Sequence, residues 1–230
     1  MKNLVCDVGI YLLDFIFAPR CVLCSDSKKI ICDKCTYFLP KAHLKCLRCG
    51  KRNPYGIYCP LCTGKFKPDR VLSVFDYCDE VKKIVHEFKY NDYSALSKEI
   101  AQLMVPVISA IKNFEDYVFT PIPIDVKRLR YRGYNQSELL ANHLGKLTNL
   151  PVKNILSRVH DSRPSQAQLE KRERRKNIKG AFFVGSSVKI PEKIIIVDDV
   201  ITTGATIEEA TKILKKAGGK NIICVSFALG

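Results

Sequence analysis

The chain has 230 residues, a net charge of +15 and a hydrophobic content of 47%. That length accommodates one large domain or a medium domain with a small one, and the composition excludes a disordered chain. So strong a positive charge favours polyanionic partners such as nucleic acid, phosphorylated metabolites or an acidic membrane face, although charge alone does not choose among them.

Residues 1–17 are predominantly apolar, but Asp7 and Asp14 interrupt them and no small-residue cleavage site follows. These features argue against a signal peptide, and the segment is too short to span a membrane. We therefore predict an amphipathic helix that docks on the body of the protein. With no transmembrane segment, we expect a cytoplasmic protein, with peripheral attachment at the inner membrane as the alternative.

Residues 18–68 hold eight of the eleven cysteines as four Cys-x-x-Cys pairs: Cys21/Cys24, Cys32/Cys35, Cys46/Cys49 and Cys59/Cys62. One such turn presents two thiolates to an ion, and two turns complete a tetrahedral zinc site. The segment is too small to bury a core unaided, so we predict a double zinc ribbon with two structural zinc ions. Sequential pairing is the simplest arrangement, with the first two pairs in one site and the last two in the other. The spacing does not exclude interleaved pairing, and an iron–sulfur cluster is the chemical alternative.

From residue 69 to residue 230, strand-like and helix-like runs alternate, which predicts an α/β domain with an open, mostly parallel sheet and helices on both faces. We predict strands at 71–77, 117–122, 193–197 and 221–227, and helices at 79–90, 94–112, 135–147 and 205–217. Residues 158–180 break this pattern, because they lack apolar periodicity and carry eight lysines and arginines. A loop that long inside a compact domain is usually functional or disordered.

The apolar run at 193–197 leads into Asp198-Asp199 and then into a Thr-Thr-Gly-Ala-Thr turn at 202–206, where a helix is predicted to begin. Ligands of open parallel sheets bind beyond the carboxyl ends of the strands, and a helix amino terminus favours an anion. The glycine allows close backbone approach, the threonines add hydroxyl donors, and the two carboxylates can accept hydrogen bonds from vicinal sugar hydroxyls. The block therefore predicts a ribose-phosphate site of the kind that holds phosphoribosyl pyrophosphate.

Arginines and tyrosines interleave after the Pro121-Ile122-Pro123 run. The set comprises Arg128, Arg130, Tyr131, Arg132 and Tyr134. Single-stranded nucleic acid is held by such mixtures, with cations on the backbone and rings beneath the bases. We predict a nucleic-acid surface here, extended by Arg172, Arg174 and Arg175 of the basic loop, and packing of the tyrosines within a loop is the alternative.

The block at 194–206 resembles the signature of type I phosphoribosyltransferases. A broader resemblance runs along the whole chain and includes the apolar first helix, the Pro19-Arg20-Cys21 entry into the ribbon, Lys89-Tyr90, and the segments 121–136 and 163–177. Together these features are similar to the ComF family of competence proteins. That family pairs a zinc ribbon with a phosphoribosyltransferase domain and is associated with DNA uptake in natural transformation.

The resemblance implies that Asp198 and Asp199 hold the ribose hydroxyls at the catalytic centre. It also implies that 200–206 hold the 5′-phosphate, that 121–134 form a pyrophosphate loop, and that 160–178 form a flexible loop closing over the pyrophosphate. The implied ligand-binding residues are Asp198, Asp199, Val200, Ile201, Thr202, Thr203, Gly204, Ala205, Thr206, Arg128, Arg130, Arg132 and Gly133, with Mg²⁺ accompanying phosphoribosyl pyrophosphate.

Two functions follow from this resemblance. In the first, the protein handles single-stranded DNA in the cytoplasm during DNA uptake, binds magnesium phosphoribosyl pyrophosphate, and has DNA-uptake proteins at the inner membrane as partners. In the alternative, it is an active transferase that moves ribose 5-phosphate to a nitrogen acceptor. The hood that selects the acceptor in such enzymes is not identifiable in the sequence, which favours the first function.

Overall fold

A computed structural model describes residues 20–26, 29–62, 64, 66–90, 95–159 and 178–230. The chain divides into two compact units, one ending at Leu39 and the other running from Pro40 to Gly230. The predicted helix at 1–17 and nearly all of the predicted loop at 160–178 lie outside the described residues. Among the helices of the described part, none has the length and apolarity needed to cross a membrane.

The first unit contains a short helix, α1 (Asp33–Phe38). The thiol sulfur of Cys32 caps this helix by accepting a hydrogen bond from the backbone N–H of Cys35 at 3.4 Å. A Cys-x-x-Cys pair thus forms the amino-terminal turn of the helix, which fixes two sulfurs on the same side of the backbone.

The second unit is built on a four-stranded parallel sheet of order β1-β6-β5-β2. The chain supplies β1 (Arg70–Asp76), β2 (Val118–Pro121), β3 (Ser157–Arg158), β4 (Phe182–Phe183), β5 (Lys193–Ile201) and β6 (Asn221–Leu229). The two short strands β3 and β4 form a separate antiparallel pair. The predicted open parallel sheet is confirmed, with the four predicted strands in place.

Helices α2 (Asp79–Tyr90), α3 (Leu96–Ser109), α5 (Gln136–Thr148) and α6 (Ala205–Lys216) match the four predicted helices within a few residues. A further helix, α4 (Val126–Arg132), occupies part of the segment predicted as a pyrophosphate loop. Its ends carry ordinary helix signals, because the Asp125 carboxylate accepts the N–H of Arg128 and Gly133 ends the helix at a φ of 77°.

Helices cover both faces of the sheet. On one face, α3 and α5 pack against each other and against the four strands. On the other, Ile194 and Ile196 of β5 share a buried cluster with Ile207 and Leu214 of α6. Since successive strand residues point to opposite faces, a strand buried on both sides must be apolar throughout, and residues 194–197 are fully buried.

Strand β5 runs further than predicted. It continues through Asp198 and Asp199 to Ile201, because β6 extends alongside it and supplies partners for Val200 and Ile201. The two carboxylates therefore project from paired strand backbone instead of from the loop after it. This pairing fixes the backbone from which the predicted ribose-binding groups emerge.

Candidate metal centres and ribose-phosphate site

The paired cysteines form two clusters, and each brings four sulfur atoms within 4.8 Å of one another. The first cluster is Cys21, Cys24, Cys32 and Cys35, and the second cluster is Cys46, Cys49, Cys59 and Cys62. Neighbouring sulfurs are 3.8 Å apart in the first cluster and 3.5 Å apart in the second. A tetrahedral zinc ion with Zn–S bonds of about 2.3 Å sets its sulfurs about 3.8 Å apart. Each cluster fits one zinc ion, and the pairing is sequential instead of interleaved.

The thiols of each cluster differ in pKa. Burial raises the pKa of Cys21 and Cys46, but backbone N–H groups of their turns outweigh it and lower each pKa to about 6. The pKa of Cys35 rises to about 12 through burial and its hydrogen bonds to other thiols, and that of Cys62 rises to about 12 chiefly through its hydrogen bond to Cys59. Four thiolates this close repel one another, so only a bound cation allows all four to ionise.

The two aspartates of β5 have different partners. Ser137 of α5 donates its hydroxyl to Asp198 Oδ1 at 2.9 Å, and the N–H of Asp199 donates to the same oxygen at 3.0 Å. Asp199 Oδ2 pairs with Lys89 Nζ at 2.5 Å, with the two side chains 11% and 21% exposed. Burial, and then the charge of Asp199, raise the pKa of Asp198 to about 7. The charge of Asp198 at neutral pH therefore depends on what binds beside it.

Lys89, at the end of α2, is one of two cations at this site. Burial lowers its pKa, but the Asp199 carboxylate outweighs that effect and raises it, while nearby Arg132 opposes the rise. The Arg132 guanidinium donates to Gln136 and Tyr90, yet its Nε is buried without a hydrogen-bond partner in the described part of the chain. Two cations and an unpaired donor beside a carboxylate pair form a site that can accept an anion.

The phosphate turn, residues 202–206, follows β5 and includes the first two residues of α6. Gly204 lies at the amino-terminal cap of α6 with a φ of 71°, a left-handed conformation that glycine adopts without strain. The first helical bond runs from Glu208 N–H to the Gly204 carbonyl at 2.8 Å. The N–H groups that precede it have no partner within the helix, and the helix dipole is positive at this end. The predicted strand–turn–helix arrangement is therefore present.

The three arginines of α4 differ in their position on the helix and in their contacts. Arg128 and Arg132 are one turn apart on the same side of the helix, and Arg130 is on the other side. Arg128 pairs with Asp125 at 3.2 Å, and Arg132 lies over the Tyr90 ring at 5.0 Å from its centroid. The structure therefore brings Arg132 to the carboxylate site and leaves Arg130 exposed to solvent.

The two tyrosines of the predicted nucleic-acid surface also differ. Tyr131 is 78% exposed. Tyr134 is half-buried, donates its hydroxyl to the Phe88 carbonyl at 2.5 Å, and places its ring 6.1 Å from that of Phe88. Tyr134 thus packs against α2, while Tyr131 is available for stacking. The predicted nucleic-acid contacts Arg172, Arg174 and Arg175 lie outside the described residues.

Sequence reasoning assigned no site role to Lys89 or Ser137. Each meets the aspartates only through tertiary packing. Lys89 belongs to the Lys89-Tyr90 pair of the family resemblance, but that pair implied no role, and Ser137 lies just beyond the 121–136 segment. The available signal was weak: Lys89 is the single basic residue in the last turn of α2, and Ser137 follows Asn135, whose side chain caps α5.

Comparison with known proteins adds two family matches. Residues 12–63 match the Double zinc ribbon domain, and residues 131–230 match the Phosphoribosyl transferase domain. Competence protein F of Haemophilus influenzae is 29% identical over 220 residues, covering 90% of this chain and 95% of that protein. Competence protein ComFC of Streptococcus pneumoniae is 31% identical over 150 residues, covering 65% and 64%. DNA utilization protein YhgH of Escherichia coli O157:H7 is 26% identical over 210 residues, covering 88% and 86%.

The parallel sheet, the two cysteine clusters and the matched regions define a class: a double zinc ribbon joined to a phosphoribosyltransferase-type domain. Within that class, the chain is similar along most of its length to proteins named Competence protein F and DNA utilization protein YhgH. The resemblance seen in the sequence is thereby confirmed.

Proposed function

We propose that this protein handles single-stranded DNA in the cytoplasm during DNA uptake and binds phosphoribosyl pyrophosphate with Mg²⁺ at the carboxyl edge of its sheet. The observation that carries the ligand proposal is the meeting of Asp198 and Asp199 with the phosphate turn, beside Lys89 and Arg132. The role in DNA uptake is supported by relatives that are named competence and DNA utilization proteins.

The chemistry of the site matches the parts of such a ligand. Vicinal ribose hydroxyls would donate to the carboxylates of Asp198 and Asp199, and the 5′-phosphate would accept from the N–H groups at the start of α6. The pyrophosphate would lie toward Lys89 and Arg132, where it could satisfy the unpaired Arg132 Nε. Carboxylate and phosphate oxygens are the ligands that Mg²⁺ prefers, so the donor set suits that ion.

The DNA proposal rests on charge and on exposed rings. The chain carries a net charge of +15, and α4 exposes Arg130 next to Tyr131. A cation for the phosphate backbone beside a ring for a base is the combination that binds single strands without sequence preference. Arg132 lies on the same helix and also belongs to the carboxylate site, so we expect DNA and ligand to influence each other.

Calorimetry with phosphoribosyl pyrophosphate, with and without Mg²⁺, tests the ligand site. Changing Asp198 and Asp199 together to Asn removes two charge-assisted acceptors, each worth about 1.5–3 kcal/mol. The affinity should fall at least about tenfold, which corresponds to about 1.4 kcal/mol. The matched control changes Asp79 and Asp116 to Asn, because these carboxylates are in the same unit with side chains 86% and 56% exposed. Equal affinity of both double variants would remove the aspartates from the site.

One feature of the structure favours the alternative, an active transferase. A cleft of about 420 Å³ at the carboxyl edge is lined by His43, Asp76 and Tyr77 among others. A Cβ on Gly230 would lie 3.4 Å from both Tyr77 and Thr202, so the cleft adjoins the phosphate turn. A cleft in this position is suited to a nitrogen acceptor, which the sequence alone did not reveal.

The cleft also contains a candidate general base. The Asp76 carboxylate accepts the backbone N–H of His43 at 2.8 Å and hydrogen-bonds its ring Nδ1, so the imidazole is held in one orientation. An imidazole oriented by a carboxylate can take a proton from an attacking nitrogen. Pyrophosphate release should then occur only with the correct nucleobase or amine and should be lost in His43→Gln. If no acceptor releases pyrophosphate while the ligand still binds, the binding function stands alone.

A further inference from the structure

The second cysteine cluster lies against the phosphate turn. Leu47 directly follows the zinc ligand Cys46 and is 9% exposed. A Cβ built on Gly204 would lie only 2.6 Å from Leu47 Cδ1 and 3.1 Å from its Cβ. Glycine is therefore needed at this position for its left-handed backbone and also because the leucine occupies the adjacent space. The first Cys-x-x-Cys turn of the second cluster therefore packs, through Leu47, against Gly204 at the start of α6.

A second contact comes from the other half of the same cluster. Tyr58 directly precedes the zinc ligand Cys59 and donates its hydroxyl to Glu208 Oε1 at 3.2 Å. Lys67 pairs with the same oxygen at 2.5 Å. Glu208 in turn makes the first helical hydrogen bond, to the Gly204 carbonyl. Both halves of the second cluster thus contact the first turn of α6.

We propose that the second zinc site is part of the ribose-phosphate site, because Leu47 and Tyr58 hold the phosphate turn in place and couple zinc retention to ligand binding. The inference rests on the proposed binding of phosphoribosyl pyrophosphate. Leu47 and Tyr58 are each next to a zinc ligand in the sequence, so loss of the metal would free both residues from their contacts with α6. They act as positioning residues, since the ligand does not have to touch them.

Thermodynamic linkage gives this proposal a quantitative form. If zinc in the second cluster strengthens ligand binding by some factor, the ligand must strengthen zinc binding by the same factor. The first cluster belongs to the other compact unit and serves as an internal reference. Phosphoribosyl pyrophosphate should therefore tighten the binding of one zinc ion and leave the other unchanged, and we expect the tighter binding to show as slower release to a chelator.

The chain offers a matched pair of leucines for the test. Leu47 and Leu61 each adjoin a zinc ligand of the second cluster, but Leu61 is 93% exposed. Leu47→Ala should weaken binding of magnesium phosphoribosyl pyrophosphate about tenfold or more in calorimetry, because a buried leucine is replaced by a cavity beside the turn. Leu61→Ala should stay within about twofold of wild type, as expected of an exposed position.

Zinc release to a chelating dye supplies the second readout. In wild type and Leu61→Ala, saturating phosphoribosyl pyrophosphate should slow one of the two zinc ions. In Leu47→Ala at saturating ligand, that protection should be lost, which separates the proposed contact from general stabilisation by ligand. Tyr58→Phe keeps the ring and removes only the hydrogen bond to Glu208, so we expect an affinity loss of about threefold with partial loss of protection.

The outcomes distinguish the two proposals. If the wild-type protein does not bind phosphoribosyl pyrophosphate, the proposed function fails, and this inference fails with it. If the wild type binds, but Leu47→Ala keeps wild-type affinity and wild-type zinc protection, only the inference is overturned. Should Leu47→Ala not fold, Tyr58→Phe decides, and wild-type values in both assays would overturn the inference. Equal slowing of both zinc ions would also overturn it.

Discussion

Replacing Lys89 with Met would leave the carboxylate pair of β5 without its buried cation. Lys89 Nζ lies 2.5 Å from Asp199 Oδ2, with side chains 21% and 11% exposed. Breaking a buried ion pair by removing one partner costs about 3–5 kcal/mol, because a charge is left uncompensated. Given the residual exposure, we expect a loss of about 3 kcal/mol in the free energy of unfolding at pH 8. At about 2–4 °C per kcal/mol, Tm should fall by about 6–12 °C.

The loss should shrink as the pH falls. Burial and the charge of Asp199 raise the pKa of Asp198 from 3.8 to about 7, and Lys89 opposes that rise. Without Lys89 the pKa of Asp198 rises further, so Asp198 takes up a proton more readily and the repulsion within the pair decreases. A carboxyl pKa raised by folding makes stability fall as the pH rises from the unfolded value to the folded one. Lys89→Met should therefore be penalised most at pH 8 and recover a large part of its stability by pH 5.

Thermal unfolding followed by circular dichroism at both pH values would measure this effect. The matched control is Lys193→Met, since Lys193 and Asp116 are 2.6 Å apart but 31% and 56% exposed. An exposed pair contributes only about 0–1 kcal/mol. Adding Asp199→Asn to Lys89→Met should restore most of the stability at pH 8. Equal losses in Lys89→Met and Lys193→Met, or a loss that does not change with pH, would refute the buried-charge argument.

Four further outcomes are expected. Metal analysis should give two zinc ions per chain, and chelation should unfold the ribbons, because coordination supplies their folding energy. Binding of phosphoribosyl pyrophosphate near pH 7 should release protons, since hydroxyl donors favour the ionised form of Asp198, and calorimetry in buffers of different ionisation enthalpy would show it. Single-stranded DNA affinity should fall with salt at a logarithmic slope steeper than about −2, flatter after Ala replaces Arg128, Arg130 and Arg132, and unchanged in slope but weaker in Tyr131→Ala. Hydrogen exchange at 160–178 should slow when ligand binds.

A specific experimental result would contradict each of these four predictions. Stoichiometric iron with sulfide would replace zinc as the metal of the clusters. A binding heat that does not depend on the buffer would mean that Asp198 keeps its proton. A flat salt dependence, or equal affinity for duplex DNA, would make the basic surface an ordinary solvated one. Strong protection of 160–178 in both states would mark it as fixed structure.

The features that the sequence determined are local. A Cys-x-x-Cys turn presents two sulfurs through its own backbone, so the metal sites could be inferred from spacing alone. Spacing favoured sequential pairing as the simplest arrangement, and the structure excluded the interleaved alternative. The strand, the phosphate turn and the start of α6 are contiguous, so residues 194–206 predicted the ribose-phosphate site directly. The caps of α4 were also present, as Asp125 and Gly133, but the resemblance to a pyrophosphate loop suggested a loop instead.

The tertiary structure decided which distant groups complete these local motifs. Lys89 reaches Asp199, and Leu47 reaches Gly204, only because the parallel sheet and the helices packed on it bring separate parts of the chain to one edge. A lysine at a helix end and a leucine beside a cysteine are common in any sequence, so their types alone do not indicate a partner. Burial makes these contacts important for stability. A charge removed from water is stabilised only by the protein groups around it, so losing a partner leaves it uncompensated.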